Sequence, residues 1–184
     1  MKQGFVKVAS ATPRIRVADP VYNAQVICEQ AKEAAEHGAK IVVFPELCIT
    51  GYTCNDLFLQ ELLLEKAKEA LLTIAEETGQ LETLFLVGLP VDKDGRLYNV
   101  AAVLYRGRIL GMIPKKNIPM YAEFYEGRHF TPGEETVTEY RLGKQVIPFG
   151  SNLLFRCEEL PELILGCELC EDLWVAEPPS TSHA

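Results

Sequence analysis

The sequence has no apolar run long enough to span a bilayer, which takes roughly 18 consecutive residues. Its first residues, "MKQGFVKVASATPRIR", also lack the apolar core that a secretory signal peptide needs. These two absences exclude a membrane-spanning helix and a classical export signal. We therefore expect a cytoplasmic protein that makes no contact with membranes.

Positive charge is also scarce in this chain. Its 184 residues include 18 Lys and Arg against 26 Asp and Glu, a formal net charge of −8, and no segment is strongly basic. Because nucleic-acid binding depends on clustered Lys and Arg that neutralise phosphates, this composition argues against a nucleic-acid partner. The patterns G-x-G-x-x-G and G-x-x-x-x-G-K-[ST] are absent too, so we expect no nucleotide cofactor in this chain.

The six cysteines, at positions 28, 48, 54, 157, 167 and 170, do not indicate a disulfide framework. Without a secretory signal, buried or reactive thiols are the expected state. Cys167 and Cys170 match C-x-x-C, but residues three apart on a strand point to opposite faces. No second pair completes a zinc site, so we predict no metal.

The hydrophobic pattern predicts a β-α-β-α order followed by a run of strands. One helix begins at Asp19-Pro20 and ends at Gly38, and a second covers about residues 56–78. The predicted strands are 5–10, 41–44, "TLFLVGLP", "YNVAAVLY", "RILGMIP", 152–157 and 163–169, with tight turns at Asp94-Gly95 and Arg106-Gly107. Residues 115–150 show little periodicity and are expected to form a long functional loop. This order indicates a single α/β sandwich domain.

Three predicted strands each lead to one titratable residue. Glu46 follows "IVVF", Lys115 follows "RILGMI", and Cys170 follows "ELILGCEL". Ligands of α/β sheets bind outside the carboxyl ends of the strands. If these strands are neighbours, a carboxylate, an ammonium and a thiol meet in one pocket.

Such a trio is suited to breaking an amide bond. Lys115 would favour the thiolate of Cys170, and Glu46 could accept the thiol proton during attack. Lys115 and the backbone N–H after the nucleophile are candidates to stabilise the oxyanion. Glu46 could then protonate the leaving amine and activate water against the thioester.

Other interpretations of these residues remain open at this point. Cys170 could be an inert buried thiol, and Lys116 competes with Lys115 for the catalytic position. Glu126 could pair with Arg128 on the surface. The histidines, at positions 37, 129 and 183, lie at a helix end, in a loop and at the terminus, and none has the setting of a catalytic base.

Three motifs, in order, resemble those of the nitrilase or carbon-nitrogen hydrolase superfamily. "FPELCITGY" (44–52) is similar to its glutamate motif, "PKKNIP" (114–119) to its lysine motif and "CEDLW" (170–174) to its nucleophile elbow. The longer versions "PKKNIPMYAEFYEGRHF" and "CEDLWVAEPPS" are most similar to the branch that forms the glutaminase domain of bacterial glutamine-dependent NAD synthases. The resemblance runs from about residue 5 and implies a nitrilase-like α-β-β-α sandwich.

The resemblance also implies roles for individual residues. Glu46 would be the general base and acid, Lys115 the oxyanion-stabilising cation and Cys170 the nucleophile. Glu126 matches a supporting carboxylate, and Tyr121 matches a tyrosine near bound glutamine. The remaining candidates for substrate contacts are the backbone of Glu171 and the side chain of Trp174.

The family sandwich and this branch both extend beyond the segment seen here. We expect residues 1–184 to be the N-terminal part of a glutaminase domain, incomplete at its C-terminal side, with the synthetase domain absent. The resemblance implies ATP and Mg2+ for that absent domain, and glutamine, the synthetase domain and further copies of the chain as partners. Alternatives are a stand-alone amidase acting on another amide, or an inert fragment that serves only in assembly.

Overall fold

A seven-stranded mixed sheet forms the centre of the molecule. The computed structural model describes residues 4–184, so the first three residues of the amino-terminal segment considered above lie outside it. The strands are β1 (Val8–Ser10), β2 (Ile41–Val43), β3 (Leu84–Lys93), β4 (Arg96–Tyr105), β5 (Arg108–Pro114), β6 (Thr138–Leu142) and β7 (Gln145–Phe149). Their order across the sheet is β1-β2-β3-β4-β5-β7-β6.

Two long helices pack on one face of the sheet. They are α1 (Pro20–Glu36) and α2 (Glu61–Glu77), and a short helix α3 (Pro179–His183) ends the chain. The predicted start of α1 is confirmed, since the Asp19 side chain accepts a hydrogen bond from the backbone N–H of Tyr22 at 3.1 Å. The predicted helix over 56–78 is wrong in its first turn. A 3-10 helix covers Asn55–Leu59, and Gln60 is extended before α2 begins.

The predicted meander of β3, β4 and β5 is confirmed, with antiparallel pairing throughout. Both residues of each predicted turn have positive φ, at 53° and 73° for Asp94-Gly95 and 47° and 76° for Arg106-Gly107. This is the backbone that a two-residue turn needs in order to match the twist of its strands. Since β1, β2 and β3 are parallel, β5 runs in the same direction as β2. Their carboxyl ends therefore lie at the same edge of the sheet.

Two predictions in the second half of the chain are wrong. Residues 115–150 are not one loop, because β6 and β7 form a hairpin there. The predicted strands 152–157 and 163–169 shrink to β8 (Phe155–Arg156) and β9 (Ile164–Leu165), which form a separate two-stranded sheet. The predicted first strand, 5–10, shortens to β1.

The layers are therefore helices, the large sheet and a small second sheet, which confirms the predicted mixed α/β fold. On the helix face lies a continuous core that includes Ile27, Leu71 and Leu89. On the other face, Phe155 and its neighbours cover β4 and β5. Within the described residues, no helix is both long and apolar enough to cross a membrane.

Candidate active site

Lys115 is the centre of a buried group of charges. It directly follows β5, and its backbone N–H donates to the carbonyl of Asn99 on β4 at 2.8 Å. Its side chain has no exposure to solvent, and its ammonium lies 2.8 Å from Oε1 of Glu46. The same ammonium lies 2.7 and 2.9 Å from the two carboxylate oxygens of Glu126. The structure thus brings three of the predicted site residues together.

Glu46 reaches this group through a tight loop after β2. The next residue, Leu47, is fully buried with a φ of 52°, a conformation that costs free energy for a side chain of this kind. The loop lies directly on Gly88 of β3, where an added Cβ would be 2.4 Å from the backbone nitrogen of Leu47. Only glycine leaves room for the loop at this point.

Cys170 comes from a different part of the fold than the sequence predicts. β9 ends five positions earlier, and Cys170 is the first residue of a 3-10 helix, Cys170–Leu173. The cysteine is exposed, with a φ of 44° that holds it at a sharp turn. The turn lies close to the buried charge group, because Asp172 ties it to the backbone of Lys116 and the charges of Glu46, Lys115 and Glu126 all act on the pKa of the thiol.

Asp172, for which no role was predicted, holds this turn against the segment that follows β5. We call this segment, residues 115–126, the lysine loop. The buried carboxylate of Asp172 accepts hydrogen bonds from the backbone N–H groups of Leu169, Lys116 and Asn117 at 3.1, 3.3 and 2.7 Å. The side chain of Asn117 donates to it as well, at 2.9 Å. A carboxylate two residues after a cysteine gives no sequence signal for such long-range contacts.

Two further polar residues complete the charge group, and neither was predicted. The hydroxyl of Tyr52 donates to Glu126 at 2.8 Å. The side-chain amide of Asn99 donates to Glu46 and, at 3.5 Å, to Glu126. Tyr52 lies within the quoted glutamate motif. Asn99 lies in the otherwise apolar stretch "YNVAAVLY", and a single polar residue in such a strand is the only sequence signal for a buried polar role.

The pKa values follow from burial and from these charges. Burial raises the pKa of Glu46, and the nearby Lys115 only partly opposes this. Burial disfavours the Lys115 ammonium, yet the carboxylates of Glu46 and Glu126 outweigh it and raise the pKa of Lys115. Burial and Glu46 also raise the pKa of Cys170, against the lowering effect of Lys115. Lys115 therefore favours the thiolate as expected, but burial and the carboxylate of Glu46 oppose it, and the net direction of the pKa of Cys170 is upward.

The remaining candidates line the mouth of the site or lie away from it. The exposed Tyr121 hydroxyl donates to the Glu171 carboxylate at 2.7 Å, which joins the lysine loop to the cysteine turn. Trp174 is 74% exposed. Lys116 pairs with Glu135 rather than with the buried carboxylates.

Within residues 4–184, the thiols and acids form no metal-binding cluster. All six cysteines are free, and no group of three or more His, Cys, Asp or Glu side chains in this range could hold a metal ion.

Comparison with known proteins identifies relatives along the whole chain. A glutamine-dependent NAD(+) synthetase from Mycobacterium tuberculosis is 39% identical over 183 residues, which are 100% of this chain and 27% of that protein. The crystal structure of a glutamine-dependent NAD(+) synthetase from Cytophaga hutchinsonii has a TM-score of 0.83 at 29% identity, over 90% of this chain and 28% of that one. An amidase from Nesterenkonia sp. shares the fold, with a TM-score of 0.59 at 24% identity over 78% of this chain and 54% of that one.

The chain spans between 27% and 29% of the length of these curated synthetase relatives. The family described as carbon-nitrogen hydrolase matches residues 7–181, almost the whole chain. That range contains the buried Glu46, Lys115 and Glu126 and the turn at Cys170. The chain therefore belongs to the carbon-nitrogen hydrolase family.

Proposed function

We propose that this chain hydrolyses the side-chain amide of glutamine through a thioester on Cys170. The observation that carries the proposal is the buried Lys115 between Glu46 and Glu126, next to a cysteine held on a sharp turn. A thiol, a basic carboxylate and a fixed cation are the groups that acyl transfer from an amide requires.

The first half of the reaction transfers the acyl group to sulfur. Since the pKa of Cys170 is raised, the thiol proton must be taken up during attack, and it moves to Glu46 as the sulfur attacks the amide carbon. The raised pKa of Glu46 makes it a better proton acceptor than an ordinary carboxylate. When the C–N bond breaks, Glu46 gives this proton to the leaving nitrogen, which departs as ammonia. The second half repeats these steps with water, which releases glutamate and restores the thiol.

The negative charge on the attacked carbonyl oxygen needs a fixed partner. Lys115 supplies a cation that cannot move away, because its ammonium is bound by two carboxylates. The N–H of Glu171, in the first turn of the 3-10 helix after Cys170, is the second donor, since such N–H groups have no partner within their helix. One oxyanion donor of this kind typically contributes about 3–4 kcal/mol.

Glutamine is favoured over apolar amides by the charge at the mouth of the site. The partly exposed carboxylate of Glu171, held by Tyr121, is complementary to the α-ammonium group of an amino acid. In the synthetase relatives the chain corresponds to about a quarter of the polypeptide. We propose that the ammonia is used by a synthetase domain beyond this segment, which would bind ATP and Mg2+, and that the assembled protein is a homo-oligomer.

Replacing the nucleophile tests the proposal directly. In the longer polypeptide, Cys170→Ala should abolish glutamine-supported NAD(+) synthesis and leave ammonia-supported synthesis intact. Cys167→Ala, which removes another free thiol three residues away, is the matched control and should support both reactions. Equal loss of both activities in Cys170→Ala would contradict the assignment.

A labelling experiment separates a catalytic site from an inert one. Incubation with a glutamine-mimicking electrophile should add one molecule to Cys170, detected by mass spectrometry of the peptides. A chain without an adduct at this residue would be a structural piece only.

A further inference from the structure

Asn99 is a buried polar residue that contacts both carboxylates of the charge group and the backbone of Lys115. It lies on β4, between the strand that carries Gly88 and the strand that leads to Lys115, and it has no exposure to solvent. Its side-chain nitrogen donates to Glu46 and to Glu126, so both amide protons are used. Its backbone carbonyl accepts from Lys115.

The two carboxylate oxygens of Glu46 differ in their contacts. Oε1 accepts from the side-chain nitrogen of Asn99 and from the ammonium of Lys115. Oε2 accepts no hydrogen bond from any of residues 4–184. We propose that Asn99 is a positioning residue which, together with Lys115, fixes Oε1 and leaves Oε2 as the atom that accepts the proton of Cys170. This inference rests on the proposed glutaminase function.

A neutral donor suits this task better than a second cation. A cation would lower the pKa of Glu46 strongly and weaken it as a base, whereas an amide fixes the oxygen with a smaller effect. The Asn99 hydrogen bond does lower the pKa of Glu46, but it is the last of five contributions, after burial, Lys115 and Glu126. Asn99 therefore orients the carboxylate and leaves most of its basicity.

The side-chain oxygen of Asn99 supports a functional reason for this residue. Oδ1 is buried and has no hydrogen-bond partner within residues 4–184. A buried acceptor without a partner destabilises the fold, so an apolar residue of the same size would serve the strand better if packing were the only demand.

The test replaces Asn99 by Leu, which has a similar size and no donor. We expect kcat for glutamine to fall on the order of 10²-fold, because the base is no longer held in its productive orientation, with KM changed little. The acid limb of the pH–rate profile should also move to higher pH, since the hydrogen bond that favours the ionised form of Glu46 is lost. Tyr52, Lys115, Glu126 and Cys170, the other titratable groups around Glu46, are unchanged in this variant.

Thr83→Val is the matched control. It removes another buried hydrogen-bonding group, the hydroxyl that donates to the carbonyl of Ala39 at 2.8 Å, away from the site. A general loss of stability should affect both variants, but only Asn99→Leu should shift the pH profile.

A second variant keeps the inference testable if Asn99→Leu does not fold. The Asn99→Asp side chain has the same shape and can donate to Glu46 only while it is protonated. Its activity should fall as pH rises through the range in which the wild-type activity increases. A wild-type profile in Asn99→Asp, or an unchanged kcat and acid limb in Asn99→Leu, would overturn the positioning role. A wild-type chain without glutamine hydrolysis or a Cys170 adduct would instead overturn the proposed function.

Discussion

Lys115 places a full positive charge where solvent cannot reach it. Its two carboxylate partners compensate for the lost hydration, but a buried ion pair often stabilises a fold no more than apolar residues of the same volume. The group contains one ammonium and two carboxylates, so one negative charge has no compensating cation. Burial makes that uncompensated charge still less favourable. Such a group is difficult to explain by stability alone, and the proposed hydrolysis at Cys170 would give it a chemical reason.

Removing the ammonium of Lys115 should show how much it stabilises the two buried carboxylates. Lys115→Met leaves two buried carboxylates facing each other, and we expect a loss of about 3–5 kcal/mol in the free energy of unfolding near pH 8. A carboxyl whose pKa is raised in the folded state stabilises the fold at low pH and loses that contribution as pH rises. Without Lys115, Glu126 should raise the pKa of Glu46 further. The loss should therefore shrink toward pH 5, as measured by urea unfolding across this range.

The neighbouring lysine provides the control for this experiment. Lys116→Met breaks an exposed pair with Glu135, which should change stability little and show almost no dependence on pH. Equal losses for Lys115→Met and Lys116→Met, or a loss that is independent of pH, would contradict the role of Lys115 as the compensating charge.

The sequence predicts Glu46 and Lys115 better than the polar residues that hold the site together. Glu46 and Lys115 follow apolar strands whose ends meet at one edge of the sheet, so their proximity follows from topology. The contacts of Asn99 and Asp172 depend on which loops cross which strands, and no local pattern contains that information. The net direction of the pKa of Cys170 could not be predicted either, because the balance between burial, Glu46 and Lys115 depends on the packed structure.

At the scale of elements, the site depends on two backbones that approach each other closely. The loop that carries Glu46 rests on Gly88 of β3, where a Cβ would meet three backbone atoms of residues 45–47 at 2.4 to 2.9 Å. Backbone atoms in a buried loop cannot move aside as a side-chain end can. A single methyl group at this position should therefore displace Glu46.

Gly88→Ala tests this dependence. We expect a destabilisation of about 1–3 kcal/mol from overpacking, together with a large loss of glutaminase activity and slower labelling of Cys170. Gly111→Ala on β5 is the control, since the three atoms nearest to its Cβ would all be side-chain atoms, of Phe155 and Leu153. Similar activity in the two variants, measured alongside thermal unfolding, would show that the Glu46 loop adapts.

The turns were predicted correctly because their signal is local: a two-residue turn depends on the backbone conformation of its own residues. The turns at Asp94-Gly95 and Arg106-Gly107 require positive φ, and their residues tolerate it. The hairpin of β6 and β7 was missed because its strands have only five residues each and β7 contains Pro148, a residue that argues against a strand. The apolar pattern of α2 continues into the preceding 3-10 helix, but the extended Gln60 separates the two helices.

At the scale of the whole molecule, the two faces of the sheet are covered unequally. The helices pack over a large core on one face, whereas the cluster on the other face is smaller and is centred on β4 and β5. On that second face, Val8 of β1 and Val43 of β2 remain 63% and 45% exposed. They adjoin Ile41, Leu84 and Leu86 through the register of the parallel strands.

This apolar row predicts that the 184-residue chain self-associates in solution. Exposed apolar surface next to an edge strand favours contact with a second copy, because association removes that surface from water. The double variant Val8→Thr/Val43→Thr keeps β-branched side chains and should shift the sedimentation profile toward monomer. Val146→Thr on β7 is the control, since Val146 is 50% exposed but pairs with Arg141 and not with an apolar neighbour. An unchanged assembly in the double variant would place the association surface elsewhere on the molecule.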